Sequence, residues 1–232
     1  EKFYNEFDKT PRTLEYLLTI YDRIFEKFQS GYQNADEKKR YYDKGKQMLI
    51  NYYNRFVGDP KNFKPAHSME AYFELPLGNN VIMNGYIDRI DKLDDGSFEI
   101  LDYKTEPTDR TQEDIDSDDQ LSIYYWAAQR VFGMKIKQVS LFMLEFDKKI
   151  STSKVIERIG ELIQKIDETA AEMMEKIKQY QTKQQEITNN EDLKQIAIAL
   201  FPPKKNKYCR SCDFLETCIL RDEILSDENF CD

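Results

Sequence analysis

Residues 85–105 read GYIDRIDKLDDGSFEILDYKT, and the rest of the chain is organised around this stretch. The pattern is typical of two β-strands joined by a turn at Asp94-Asp95-Gly96. Asp88 lies late in the first strand, and Asp102 and Lys104 lie in the second. Because side chains alternate between the two faces of a strand, Asp102 and Lys104 project from the same side.

The length of the turn decides whether Asp88 joins these two side chains. A three-residue loop with Gly96 in the left-handed conformation pairs Leu93 with Ser97 and places Asp88 opposite Asp102. A two-residue loop would turn Asp88 to the other face of the sheet. Directly opposed residues have Cβ atoms about 4.5–5.5 Å apart, and two carboxylates at that distance repel each other unless a cation lies between them. The hairpin therefore predicts a site for a hard divalent cation.

Composition limits the kind of protein this is. At 232 residues and 40% hydrophobic content the chain is able to bury one substantial core, so we expect a single domain over residues 1–232. No apolar run approaches the about 20 residues of a membrane span, and no signal-peptide pattern is present, which favours a cytoplasmic protein without a membrane partner. A net charge of −9 argues against non-specific coating of nucleic acid but is compatible with a local basic groove.

Hydrophobic periodicity predicts a mixed α/β chain with four parts. A helical N-terminal part covers 1–66, the sheet with its helix covers 67–150, a second helical part covers 151–200, and a cysteine-rich segment covers 201–232. A capping box at Ser117–Gln120 is expected to open a helix that stops at Gly133, after a polar loop over 106–116. The other predicted elements are helices 11–30, 36–57, 153–186 and 191–200, and strands 69–77 and 136–146, with a turn at 78–80.

Several motifs together resemble those of the RecB-type nuclease family in the PD-(D/E)XK superfamily, including its CRISPR-associated and AddB-type iron–sulfur members. The ordered set covers roughly residues 69–218 and is far more specific than any one motif. Its members are GYIDRID at 85–91, DYKT at 102–105, the QxxxY motif at Gln120–Tyr124, Phe201-Pro202-Pro203, and Cys209-x2-Cys212-x5-Cys218. The resemblance implies a restriction-endonuclease-like mixed central sheet flanked by helices, with a C-terminal cysteine cluster.

The residues of the hairpin suit phosphodiester hydrolysis. One or two Mg²⁺ or Mn²⁺ ions activate water and neutralise the phosphate, and the protein supplies acidic ligands and a cation near the developing charge. Asp88 and Asp102 fit as metal ligands with the Tyr103 carbonyl as a third donor, and Lys104 fits as the cation. The resemblance implies the same assignments. The alternative interpretation is a hairpin whose acids and lysine simply face solvent.

Five further side chains have both a functional and a structural interpretation. Gln120 and Tyr124 are four residues apart on one helix face, and the resemblance implies that they orient the substrate or the site. The structural alternatives are a capping glutamine and a core tyrosine. Arg89 and Asp91 are expected to form a structural ion pair or to contact the DNA backbone. His67, in a proline-flanked loop, is expected to be a surface residue rather than a metal ligand.

The C-terminal cysteines predict a second site. All four cysteines lie in the last two dozen residues, which argues for a metal site in a reducing compartment rather than for dispersed disulfides. Cys209, Cys212 and Cys218 have the spacing of thiolate ligands. The resemblance implies a [4Fe–4S] cluster with a fourth cysteine near the N-terminus, and no cysteine precedes Cys209. The fourth ligand is then in upstream sequence, or Cys231 replaces it, or the site binds Zn²⁺ or is empty.

The sequence as a whole predicts a metal-dependent deoxyribonuclease, an exonuclease by family resemblance, acting in DNA recombination, repair or replication. Its expected partners are DNA and the helicase or other subunits of a recombination or CRISPR complex. A second hypothesis is a catalytically inactive DNA-binding or scaffold module of a larger helicase–nuclease or CRISPR adaptation complex. A third is a zinc-ribbon-like interaction protein, in which no divalent ion binds near Asp88.

Overall fold

The computed structural model describes residues 12–32, 34–59, 61, 63–77 and 81–227 of the chain. Its contacts divide the chain into two compact units, Glu1–Lys165 and Ile166–Asp232, each of which is described separately. The expected helix start at Pro11, the turn at 78–80 and Cys231 lie outside the described residues. The single domain over 1–232 stays a prediction.

The first unit is built on a five-stranded mixed sheet with strands in sequence order. Neighbouring strands are antiparallel except the third, β3 (Phe98–Lys104), and the fourth, β4 (Ile136–Met143), which are parallel. Parallel neighbours need a crossover connection, and a helix between β3 and β4 provides it. The strands are β1 (Ser68–Pro76), β2 (Ile82–Lys92), β3 (Phe98–Lys104), β4 (Ile136–Met143) and β5 (Lys148–Thr152).

The β2–β3 hairpin has the predicted three-residue loop. Gly96 adopts a positive φ of 80°, and the Leu93 amide donates to the Ser97 carbonyl at 2.8 Å. The side chain of Asp95 accepts a hydrogen bond from the Ser97 amide at 3.0 Å, which stabilises the turn. Arg89 pairs with Leu101, so the predicted register is confirmed from the turn as far as Arg89, the residue that follows Asp88.

Helices cover both faces of this sheet. Helices α1 (Leu14–Phe25) and α2 (Ala35–Phe56) contribute to the core on one face, where Leu17, Ile20 and Tyr52 pack with Leu101 and Phe142. The bounds of the others are α3 (Gln112–Asp116), α4 (Asp119–Phe132), α5 (Val155–Glu186), α6 (Asn190–Leu200) and α7 (Arg221–Ser226). The larger core lies on the other face, where α4 buries Leu121, Tyr125 and Ala128 together with Ile100 of β3 and Val155 of α5. The predicted fold class, a mixed central sheet flanked by helices, is confirmed.

Three local predictions are wrong. The expected loop over 106–116 contains α3, which begins with a capping box between Thr111 and Asp114. The hydroxyl of Ser117 donates to the Glu113 carbonyl at the end of α3, and so Asp118 rather than Ser117 caps α4. The expected helix over 11–30 is present as an α-helix at Leu14–Phe25, but its end is wrong because a 3₁₀ segment follows at Glu26–Gly31.

Strand β5 was absent from the predicted elements. It is a polar five-residue strand, KKIST, which forms by pairing with β4. The second unit contains the C-terminal part of α5, α6, two 3₁₀ turns at Cys209–Ser211 and Leu215–Thr217, and α7. None of the described helices combines the length and the hydrophobicity that a membrane span requires.

Candidate active site

The pairing of β2 with β3 ends at Arg89, next to Asp88, the first of the predicted metal ligands. The Tyr103 amide donates to Oδ2 of Asp88 at 2.9 Å. In a continued ladder this amide would bond to the Ile87 carbonyl, so the carboxylate of Asp88 replaces a backbone acceptor as the two strands separate. Because the amide and carbonyl of a strand residue point to the same edge, the Tyr103 carbonyl also points towards β2.

Strand β2 is irregular at the same place. Ile87 and Ile90 belong to one core cluster although they are three residues apart, which a regular strand does not allow. On β1, Glu70 lies between the residues that pair with Ile87 and Arg89, and its φ is 49°. Positive φ is uncommon outside glycine, and irregular strand pairing of this kind redirects side chains near active sites. The irregularity therefore sets the direction of Asp88.

Asp102 is the most buried acid of the site, with 2% of its surface exposed. Nζ of Lys104 lies 2.8 Å from Oδ2 of Asp102. The direction of approach gives an ion pair rather than a well-aligned hydrogen bond, so among the described residues Lys104 compensates this buried oxygen by its charge. Burial raises the pKa of Asp102 to about 6, since it outweighs the attraction of Lys104, and the charge of Asp88 adds to the rise.

Lys104 is the first member of a hydrogen-bonded chain that includes two side chains of α4, Gln120 and Tyr124. Its ammonium donates to Oε1 of Gln120 at 2.7 Å, and Nε2 of Gln120 donates to the Tyr124 hydroxyl at 2.7 Å. Gln120 is thus not a capping residue, and Tyr124, although 8% exposed, uses its hydroxyl in the site. The structure brings Asp88, Asp102, Lys104, Gln120 and Tyr124 together. Burial raises the pKa of Tyr124, and the charges of Asp102 and Asp88 add to the rise.

Arg89 faces the opposite side of the sheet. Its guanidinium is buried, with Nε 2.7 Å from Oδ1 of Asp91 and Nη1 3.2 Å from the Tyr52 hydroxyl. It also lies over the Phe56 ring, 5.0 Å from the centroid. Of the two predicted roles, the structural ion pair is the one present, and burial raises the pKa of Asp91 even beside this arginine. A side chain enclosed in this way has no surface to offer to DNA.

Two acids near the site had no role in the sequence-based prediction. Glu70 is close enough for its charge to add to the rise in the pKa of Tyr124, and the charge of Asp118, next to the start of α4, likewise adds to the rise in the pKa of Asp102. An isolated glutamate in a strand carries no local signal of this placement, because the site forms only when β1 and α4 meet. His67 is exposed, stacks on Phe98 at 5.0 Å and donates its backbone amide to Ile90.

The first site fits a divalent cation. Its candidate ligands are the carboxylates of Asp88 and Asp102 and the Tyr103 carbonyl, and the buried Asp102 oxygen lacks a well-aligned donor among the described residues. In the part of the chain that the structure describes, no group of three or more His, Cys, Asp or Glu side chains is arranged to hold a metal. Two carboxylates and a backbone carbonyl do not form such a group, but Mg²⁺ is usually bound through one or two carboxylates and keeps several water ligands.

The described cysteines do not form a comparable site. Cys209 and Cys218 are partly exposed, Cys212 is exposed, and all three are free thiols in the second unit. The Asn206 amide donates to the sulfur of Cys209 at 3.3 Å. As placed, the thiols of the described residues are not gathered around one metal position. A cluster or zinc ion at these cysteines and Cys231, which lies outside the described residues, therefore stays a prediction.

Comparison with known proteins gives two kinds of match. A family profile described as the PD-(D/E)XK nuclease superfamily matches residues 1–219. A 36-residue segment is 53% identical to an ATP-dependent helicase/deoxyribonuclease subunit of Streptococcus pyogenes, both in serotype M49 (strain NZ131) and in serotype M1. That segment is 16% of this chain and 3% of the length of each relative.

Proposed function

Since the chain belongs to the PD-(D/E)XK nuclease superfamily, we propose that its site at the end of β2 and β3 hydrolyses DNA phosphodiester bonds with a divalent metal ion. One observation carries this proposal. A buried carboxylate oxygen of Asp102 has no well-aligned hydrogen-bond donor among the described residues, while a second acid, Asp88, and an ammonium group, Lys104, lie beside it. A buried acid is costly unless cations compensate it, and the pKa of Asp102 stays raised even beside Lys104, which favours a further cation between Asp102 and Asp88.

Asp88, Asp102 and the Tyr103 carbonyl would hold the ion, which is proposed to be Mg²⁺ or Mn²⁺. When bound, such an ion supplies a water of lowered pKa and positive charge for the phosphate oxygens. The backbone of Tyr103 has two functions, because its amide orients the Asp88 carboxylate while its carbonyl points to the same edge. The hydrogen bond leaves Oδ1 of Asp88 for a ligand.

Lys104 holds its proton at Nζ between Oδ2 of Asp102 and Oε1 of Gln120. In this position the ammonium offers a positive charge to the negative charge that develops on the phosphate. Gln120 fixes the ammonium from the side of α4, and Tyr124 fixes the amide of Gln120. Gln120 and Tyr124 are therefore proposed as positioning residues, while Asp88, Asp102 and Lys104 are proposed as the catalytic set.

The finer parts of the proposal rest on resemblance. An exonuclease that works with a helicase in recombination or repair is supported by the short match to a helicase/deoxyribonuclease subunit. A CRISPR-associated nuclease is the related alternative. The cytoplasm is the proposed location. A [4Fe–4S] cluster or Zn²⁺ at Cys209, Cys212, Cys218 and Cys231 is also proposed, and would require the described cysteine segment to rearrange.

The deciding experiment is digestion of end-labelled single- and double-stranded DNA with Mg²⁺, Mn²⁺ or EDTA. We expect the wild type to release nucleotides only with a divalent ion, and Asp102→Ala and Lys104→Ala to lose at least about 100-fold in rate. A ladder that starts at the labelled end indicates an exonuclease, and internal products indicate an endonuclease. No activity in the wild type would support the inactive DNA-binding or scaffold module instead. Equal activity in all three proteins would show that this site is not the source of the activity and would also contradict the proposal.

A further inference from the structure

The α1–α2 hairpin carries a series of packed aromatic rings, here called the aromatic patch. Neighbouring ring centroids in the series lie 5.2–5.8 Å apart. The patch consists of Tyr21, Phe25, Tyr32, Tyr41 and Tyr42. The series ends at Tyr41, which rests on Tyr32 at 5.8 Å and is 46% exposed. The inner rings thus fix one outer ring that solvent reaches.

Cationic side chains border the aromatic patch. The guanidinium of Arg40 lies 5.3 Å from the ring centroid of Tyr41, and Nζ of Lys46 lies 5.7 Å from that of Tyr42. Residues 22–46 contain seven Lys or Arg and five Asp or Glu, whereas the whole chain has a net charge of −9. Two of these acids are engaged locally, since Asp22 accepts from the Tyr42 hydroxyl at 2.6 Å and Asp43 pairs with Lys39. The segment therefore carries two more cations than acids on an acidic protein, and two of these cations lie against rings of the patch.

Helix α2 connects the aromatic patch to the edge of the sheet that carries the candidate site. The Tyr52 ring packs on Tyr103, the residue before Lys104, with centroids 5.6 Å apart. Nearer the start of the helix, Nζ of Lys44 lies 2.6 Å from Glu145, which follows the end of β4. Because β3 and β4 are parallel, their carboxyl ends share one edge, and α2 passes that edge as it runs back towards Tyr41.

We propose that the aromatic patch binds single-stranded DNA and holds it beside the Asp88–Asp102–Lys104 site. The proposal deepens the proposed nuclease function and rests on it. An exposed ring flanked by cations suits a nucleic-acid strand, because a base stacks on the ring and the cations contact phosphates. A duplex hides the faces of its bases within its own stack, so only an unpaired strand is able to use Tyr41 in this way. The substrate class that follows is single-stranded DNA or the frayed end of a duplex.

Binding without hydrolysis tests this proposal. Fluorescence anisotropy of a fluorescein-labelled oligothymidylate is measured in EDTA with the wild type, Tyr41→Ala and Tyr41→Phe. The affinity of each protein for duplex DNA is measured by competition with an unlabelled blunt hairpin. We expect Tyr41→Ala to raise the Kd for the single strand at least about fivefold, since stacking on one ring is lost. Tyr41→Phe keeps the ring and is expected to stay within about twofold. Tyr86→Ala, which removes an exposed tyrosine from β2, serves as the matched control and is expected to bind normally.

The remaining outcomes overturn the proposal. The first is a wild type that does not bind the single strand, and the second is a Tyr41→Ala variant that binds it like the wild type. The third is a Tyr41→Ala variant that loses as much affinity for the duplex as for the single strand. The fourth is a Tyr41→Phe variant that binds the single strand as weakly as Tyr41→Ala. Thermal melting checks that each variant is folded. Because EDTA removes catalysis, failure here is distinct from failure of the nuclease assignment, which the comparison of wild type with Asp102→Ala in Mn²⁺ decides.

Discussion

The position of the Lys104 ammonium depends on a side chain from another element. Gln120 of α4 accepts from it at 2.7 Å, and Asp102 alone gives an ion pair without hydrogen-bond geometry. We predict that Gln120→Leu lowers kcat about 10- to 100-fold with little change in KM, because an oriented charge acts mainly in the transition state. Steady-state kinetics on an oligonucleotide substrate measures the two constants separately.

Helix α4 supplies its own control for this variant. Nε2 of Gln129 donates to the Tyr125 hydroxyl at 2.8 Å, so Gln129→Leu breaks the same kind of bond away from Lys104. That variant is expected to retain wild-type kcat with a similar change in Tm. Equal losses of activity in Gln120→Leu and Gln129→Leu would mean that helix stability, and not the position of Lys104, accounts for the effect.

The buried carboxyl of Asp102 predicts a pH-dependent stability in the metal-free protein. Its pKa of about 6 lies above the ordinary value of 3.8, so the folded state binds the proton more tightly than the unfolded state. The ionised form therefore costs stability, by about 3 kcal/mol above pH 6, and the cost disappears as the pH falls towards 4. We predict that Asp102→Asn raises the Tm at pH 8 in EDTA and that this gain shrinks at pH 4.5.

Two comparisons in the same melting experiment make this prediction specific. Asp95 is hydrogen bonded to Ser97 and paired with Lys137, which lowers its pKa, so its ionised form stabilises the fold at high pH. Asp95→Asn should therefore lower the Tm at pH 8, the opposite sign. Added Mn²⁺ should raise the Tm of the wild type at pH 8 but not that of Asp102→Asn. A higher Tm for Asp102→Asn that is the same at both pH values would contradict the account.

At the scale of elements, the missing side chain of Gly85 on β2 leaves space for the Phe73 ring of β1, which packs against Tyr124. A Cβ atom at Gly85 would lie 3.0 Å from Cζ of Phe73, whose ring packs edge-on against Tyr124. We predict that Gly85→Ala lowers the free energy of unfolding by about 1–3 kcal/mol because the core is overpacked. Urea denaturation measures this change.

A double-mutant cycle gives the control for Gly85. Phe73→Leu shortens the side chain that the new methyl group would meet, so Gly85→Ala should cost less in the Phe73→Leu background than in the wild type. If the two losses simply add, the contact with Phe73 is not the reason for a glycine at this position.

Local chemistry explains which elements the sequence predicted well. The hairpin register follows from a three-residue loop that ends in Gly96, and the end of α4 follows from Gly133, whose φ is 65°. Strand β5 has no apolar alternation and forms because β4 offers an unpaired edge, so only tertiary structure reveals it. The start of α4 was misplaced because the Ser117 hydroxyl serves the end of α3.

In the candidate site, too, some features follow from local sequence and others only from tertiary structure. Asp88, Asp102 and Lys104 were predicted from spacing, and the structure brings them together. The burial of Asp102 and the irregularity at Glu70 depend on how β1, β2 and α4 meet, which no local pattern contains. Sequence reasoning thus named side chains that the fold brings together, but it did not predict the burial that raises the pKa of Asp102.

At the scale of the whole molecule, the second unit buries little apolar surface. Of its described residues, Ile224 is the one buried hydrophobic side chain, and eight large apolar side chains are exposed. The exposed ones are Met173, Met174, Ile177, Phe201, Tyr208, Phe214, Ile219 and Leu225. A small unit with so little core usually depends on a metal or another covalent or coordinate link for stability.

The three described cysteines are the groups able to supply that link, although their thiols are not gathered in the described structure. Metal binding is commonly coupled to folding, so we predict that protein purified under reducing conditions contains iron or zinc and that Cys212→Ser makes residues 201–227 sensitive to protease. Elemental analysis and limited proteolysis with mass spectrometry measure the two effects, and Ser211→Ala in the same turn is the control. Metal-free wild-type protein whose cleavage pattern matches that of Cys212→Ser would show that the cysteines do not stabilise this unit. In the opposite case, chelation of the wild type should reproduce the pattern of Cys212→Ser, because loss of the metal and loss of one ligand remove the same constraint.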